Sequence, residues 1–136
     1  MMNARCKLLP VIAALVLSFS SNSSASAPLA KEEVEKLISG NTAEGQNVKW
    51  EKGMTWYFHK LGQIRMIDEH GNRGKGRWFI NDEGELCTQF KRGGERCHTV
   101  VPREDGGYGI YGTDYPEAEE LKWIFKRVLP GNPHDL

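Results

Sequence analysis

Between Lys49 and Tyr111 large apolar residues recur at every second position, and glycine interrupts them at short intervals. Met54, Trp56 and Phe58 alternate with Thr55, Tyr57 and His59. Ile64 and Met66 alternate with Gln63 and Arg65, and Trp78 and Ile80 with Arg77 and Phe79. Leu86, Thr88 and Phe90 alternate with Glu85, Cys87 and Gln89, and residues 97–101 and 108–111 continue the set. A period of two belongs to strands, whose side chains point to opposite faces in turn. The breaks are Lys60-Leu61-Gly62, Glu69-His70-Gly71-Asn72, Asp82-Glu83-Gly84, Arg92-Gly93-Gly94 and Asp105-Gly106-Gly107. Short strands punctuated in this way predict an antiparallel meander. Several runs carry large residues on both faces. A curved sheet or small barrel of about six or seven strands, covered by another element, accounts for that.

The covering element is predicted over residues 28–39. Pro28 suits a first helical turn, and Glu32, Glu33 and Glu35 favour the N-terminal half through the helix dipole. Val34, Leu37 and Ile38 form one stripe, and Gly40 offers a C-cap. The expected class is therefore mainly β (α+β), with one N-terminal helix packed on the sheet.

The segment ahead of this helix has the layout of a cleavable export signal. Arg5 and Lys7 precede an apolar run at residues 8–19, followed by mostly small residues up to Ala27. The run is too short to span a bilayer, which takes roughly 20 residues. Cleavage is expected after Ala25 or Ala27, and Pro28 disfavours the second. Residues 1–27 are thus read as a signal peptide and residues 28–136 as one exported domain, periplasmic or secreted. About 110 residues suit a single small core.

Export makes the cysteines informative. Cys6 leaves with the signal, and Cys87 and Cys97 remain. In an oxidising compartment their default state is an intramolecular disulfide. With Arg92 at the centre of a hairpin turn, the two would face each other across paired strands. Closing so short a loop should stabilise by about 2.7 kcal/mol on the chain-entropy model. The 18 basic and 18 acidic residues balance, so no basic surplus argues for nucleic acid or anionic lipid. The mature chain has no second apolar stretch that could serve as an integral membrane segment.

The last segment supports two readings. Pro116, Glu117, Glu119 and Glu120 resemble a helix start, and Leu121, Ile124, Phe125 and Val128 form a helical stripe. Leu121, Trp123 and Phe125 also alternate, as a closing strand would. Local signals favour the helix.

A set of short pieces spans nearly the whole mature chain. They are residues 37–42 (Leu-Ile-Ser-Gly-Asn-Thr), Gly76-Arg77-Trp78, Gly84-Glu85-Leu86-Cys87, Cys97 before a valine-rich run, Gly107-Tyr108, and residues 129–133 (Leu-Pro-Gly-Asn-Pro). In this order they resemble a family of small exported bacterial proteins of unknown function, marked by a Gly-Asn-Thr motif, a two-cysteine β-hairpin and a terminal Pro-Gly-Asn-Pro. The resemblance implies an extended segment before that terminal motif. It tips residues 121–128 toward strand, with residues 113–120 as an added loop. It implies no activity, cofactor or partner.

The sequence offers no catalytic constellation. Ser39, the one serine after Ser26, adjoins the helix end, where a cap or packing role suffices. Cys87 and Cys97 are no nucleophiles if bonded, because only a thiolate attacks. Cys97-His98 looks like the end of a haem-attachment motif, but position 94 is Gly. His59, His70, His98 and His134 lack any recognised metal-ligand spacing, and Asp68-Glu69-His70 reads as a solvated turn. His59 and His98 lie on strands and could still converge. Asp82, Glu83 and Glu85 sit around a glycine turn, a poor place to tune an acid pair. No catalytic, metal or cofactor-binding residue is therefore assigned.

The aromatics carry more. Trp50, Trp56, Tyr57, Phe58, Trp78 and Phe79 are many large rings for a small domain. They either fill a barrel core or present a binding surface; Trp56 and Trp78, on the large-apolar side of their strands, are expected in the core. Residues 42–47 and 105–107 are candidate binding loops. The sequence predicts a non-catalytic binding domain for an envelope component or protein partner. The alternative is a carrier of small apolar ligands, recognisable by a wide cavity, with an acid–base hydrolase as a third class.

Overall fold

The computed structural model describes residues 26–113 and 119–136. The signal-like segment up to residue 25, and Pro116 and Glu117, lie outside the described residues. One helix, α1 (Lys31–Ile38), precedes eight strands: β1 (Asn41–Asn47), β2 (Lys52–Phe58), β3 (Gln63–Asp68), β4 (Arg73–Ile80), β5 (Leu86–Phe90), β6 (Gly94–Pro102), β7 (Tyr108–Gly112) and β8 (Leu121–Pro130). Each strand pairs antiparallel with the next, and β8 returns to β1, so the sheet closes into a barrel.

The strand count corrects the expected six or seven. The additional strand is β1, whose sequence Asn-Thr-Ala-Glu-Gly-Gln-Asn has almost no apolar content. Residues 42–47 are therefore barrel wall and not a binding loop. Thr42 and Ala43 are fully buried, and both edges of β1 are paired. Closure removes the exposed edges that an open sheet would carry, and it outweighs poor strand propensity. At Gly45 the two end strands come so close that an added Cβ would lie 1.7 Å from the Ile124 carbonyl oxygen, beside the register shift at Glu44 and Gly45. Residues 121–130 are a strand for the same reason: β8 is the closing partner of both β7 and β1.

The helix is shorter than the expected 28–39. Ala30 is the extended N-cap residue, its N–H bonded by Glu33 Oε1 at 3.1 Å, and Ser39 is the C-cap. Pro28 lies before the helix because Ala30 is extended and Leu29 donates its N–H to Val100 O at 2.8 Å. The start of α1 rests on the β4–β5 turn, where a Cβ on Gly84 would meet the Lys31 nitrogen at 3.0 Å. Its end hands over to Gly40, whose N–H bonds Phe58 O. The helix thus lies across the end of the barrel where β1 begins. Val34 and Ile38 are fully buried there, in one core with Trp56, Phe58, Ile64, Trp78, Leu86, Val100, Ile110 and Phe125.

This half of the barrel is filled. Phe58 meets Trp78 edge-on at 5.8 Å, and Trp56 meets Phe125 at 5.0 Å. Trp78 also donates Nε1–H to His59 O at 2.9 Å, so its polar atom is satisfied. Trp56 and Trp78 are core residues, as expected. Cys87 and Cys97 are directly opposed in register and joined by a disulfide, with Cα atoms 4.0 Å apart. The bond clips β5 to β6 on the outer face, since Leu86, Thr88 and His98 point inward.

The C-terminal tail is tied to β1. Glu44 receives Arg127 Nε at 2.5 Å and faces His134 Nε2 at 2.6 Å. Burial pushes the Glu44 carboxyl up, but Arg127 and His134 outweigh it and hold the group below its ordinary value.

Candidate binding site at the barrel mouth

The end opposite α1 is built differently. Its inward positions include Gly74 and Gly76 on β4 and Gly112 on β7, where the helix end has rings and branched residues. Phe90 lies over Gly76, where a Cβ would come within 2.8 Å of its ring. Small residues at one end and large ones at the other leave the barrel plugged below and open above. The opening is a pocket of about 380 Å³.

Three hairpin segments frame it. The β1–β2 tip carries Lys49 and Trp50, the β5–β6 tip carries Phe90 and Arg92, and the start of β8 carries Trp123. Asn47 Oδ1 accepts the Trp50 N–H at 3.2 Å, and Val48 N–H bonds Lys122 O at 3.0 Å, which joins the first tip to β8. Trp50 is 68% exposed, with Lys49 Nζ 5.1 Å from its ring centre. The floor is Trp123, stacked 4.8 Å from His98 and 5.6 Å from Trp56, together with buried Thr88. Among the described residues, the cations that line the pocket are Lys49, Arg92, Arg96 and Lys122, the last 3.8 Å from the Glu120 carboxylate. The site therefore combines flat apolar surface with cationic side chains at its rim.

At the same end Lys52 and Asp68 pair at 2.6 Å. The Lys52 ammonium, helped by the Asn72 and His70 N–H groups, holds the Asp68 carboxyl well below the usual carboxylate range.

The residues weighed for chemistry are not brought together. His59 follows β2 on the outer side, its ring 5.9 Å from Tyr57 and its Nδ1 accepting the Leu61 N–H. His98 points inward from β6, so the two histidines do not converge. His134 faces Glu44, and His70 lies in the β3–β4 turn. Among the described residues no three His, Cys, Asp or Glu side chains are grouped to hold a metal ion. Asp82 pairs with Lys31, and Glu85 accepts Asn81 Nδ2 within the β4–β5 turn. Ser39 ends the helix through its N–H to Glu35 O. Asp105 closes the β6–β7 turn on the Gly107 N–H, which holds its carboxyl low. That turn is at the helix end, away from the mouth.

Of the aromatics, Trp56, Phe58 and Trp78 are core, Trp50 is at the rim, and Phe79 is exposed on the outer wall. Sequence reasoning missed Trp123, Phe90, Arg92 and Arg96 as neighbours. The alternation of Leu121, Trp123 and Phe125 was the available signal for Trp123, and it competed with an equally good helical stripe.

The chain matches the DUF995 family, described as proteins of unknown function, over residues 8–135. It belongs to that family. The match agrees with the resemblance read from the sequence in being to a family without an assigned function. No curated protein matches the chain. No helix among the described residues is long and apolar enough to cross a membrane.

Proposed function

We propose that this DUF995 member is a non-catalytic, exported binding domain whose site is the barrel mouth. Its ligand is a small molecule, or the exposed end of an envelope component, with a flat apolar body and an anionic group. The observation that carries the reading is the pocket itself: apolar rings on floor and rim, with the cations Lys49 and Arg92 at its hairpin tips. Ligand sites are concave and mostly apolar, with a few polar groups that fix orientation. Cations at the rim select for negative charge and speed its approach. The filled helix end argues against a carrier with a deep barrel cavity, because only the mouth half is hollow. The disulfide agrees with an oxidising exported compartment.

Anilinonaphthalene sulfonate, a flat aromatic anion, tests the reading as a fluorescent probe. It should bind the native protein at one saturable site, while a neutral probe of similar size binds more weakly. Trp50→Ala with Arg92→Gln should abolish the signal and leave the far-ultraviolet circular dichroism and the melting temperature unchanged. Undiminished binding by that double variant would reject the mouth as the site.

A further inference from the structure

The chain is neutral overall, yet one wall of the barrel is not. On β4 the inward positions are Gly74, Gly76 and Trp78, so Arg73, Lys75, Arg77 and Phe79 all point outward, and all four are exposed. Across the β3–β4 ladder Arg65 stands directly opposite Lys75, and Gln63 opposite Arg77. On the other side Gln89 stands opposite Arg77. Directly opposed like charges destabilise a sheet. None of Arg65, Arg73, Lys75 and Arg77 makes an ion pair among the described residues. The nearest outward carboxylate, Glu69, two positions beyond the Arg73 partner Ile67, is engaged by His70 and the Gly53 N–H instead. Folding thus assembles four cations that the fold itself does not neutralise.

We infer that this outer wall of β3 and β4 is a docking surface for an acidic polysaccharide. Successive outward residues on a strand are about 7 Å apart, so the row from Arg73 to Phe79 runs for about 20 Å. That is a line of positive charge suited to an extended chain with repeating carboxylate or sulfate groups. Gln63 and Gln89 flank Arg77 with amide donors and acceptors for sugar hydroxyls. Phe79, 41% exposed at the end of the row, offers a ring face to a pyranose. The disulfide agrees with an exported compartment, where acidic glycans are the expected polyanions and nucleic acids are not. A bilayer is the weaker fit, because the exposed Trp50 and Leu61 sit at hairpin tips at opposite ends of the barrel.

The test uses the purified protein and a fluorescently labelled oligogalacturonate, read by anisotropy. Comparison arms are a neutral maltodextrin, single-stranded DNA and phosphatidylglycerol vesicles. Binding to the acidic oligomer should weaken about tenfold or more between roughly 50 and 200 mM salt. Arg73→Gln, Lys75→Gln and Arg77→Gln together should weaken it at least about tenfold, since three exposed cations each contribute modestly. The triple variant should melt no lower than the parent, since it relieves like-charge crowding. Arg92→Gln, at the mouth, should leave this binding unchanged. Parent-like binding by the triple variant would overturn the inference, as would equal binding of maltodextrin. Tighter binding of DNA or vesicles than of the acidic oligomer would also overturn it, in favour of those partners.

Discussion

Trp78→Ala is expected to be among the most damaging single changes in this barrel. The ring is 8% exposed, meets Phe58 edge-on at 5.8 Å, and donates to the His59 carbonyl at 2.9 Å. Truncating a buried Trp or Phe to Ala typically costs about 3–5 kcal/mol, from lost burial and the cavity left behind. The His59 carbonyl also loses its indole donor, and a neutral hydrogen bond contributes about 1 kcal/mol net. For a domain of this size such a loss lowers the melting temperature by about 15–30 °C. Trp78→Phe separates the two contributions, since it keeps most of the ring and removes the donor; it should cost about 1–2 kcal/mol. Trp50→Ala is the control. That ring is 68% exposed, and its loss should change stability by under about 0.5 kcal/mol. Urea unfolding followed by far-ultraviolet circular dichroism measures all three. A cost below about 1 kcal/mol for Trp78→Ala, or equal costs at Trp78 and Trp50, would refute the division into a packed helix end and an open mouth.

Replacing both Cys87 and Cys97 by Ala should cost about 2–3 kcal/mol in urea unfolding, as expected for opening a loop whose ends are 10 residues apart; a neutral result would mean that the hairpin is already restrained in the unfolded chain. Gly45→Ala should cost about 1–3 kcal/mol, because the new Cβ meets the Ile124 carbonyl oxygen, which is backbone and can yield only by shifting β8. Asp68 gives the pH dependence. Its folded-state carboxyl is held below its unfolded value, so its contribution is present above about pH 4 and is lost as the pH falls below that. Thermal melts should show the parent losing stability on acidification more steeply than Asp68→Asn; parallel curves would remove the Lys52–Asp68 pair from the account.

Much of the barrel was legible because its interior is written in the period-two pattern. The β5–β6 register followed from Arg92 at the turn, the disulfide from two cysteines left in an exported chain, and the core positions of Trp56 and Trp78 from the large-apolar side of their strands. Strand β1 was not legible. Its Thr42, Ala43 and Gly45 are small because they line the seam where the barrel closes, and small residues give no alternation signal. Strand β8 was hidden for another reason: Leu121, Ile124, Phe125 and Val128 satisfy a helical stripe, and only pairing with β1 and β7 decides against it. The mouth was hidden with β8, since Trp123 joins Trp50, Phe90 and Arg92 only when the sheet closes. The basic wall was hidden by the neutral total, because the balancing carboxylates lie mostly in turns and on other strands.

The central claim is that the barrel mouth is where this protein binds. Amide and indole chemical-shift mapping during titration with anilinonaphthalene sulfonate tests it most directly. The account predicts shifts at the Trp50 and Trp123 indoles and at Phe90 and Arg92, with the signals of Val34, Ile38 and the β6–β7 turn unmoved. Shifts centred on α1 or that turn, with a silent Trp123, would contradict it.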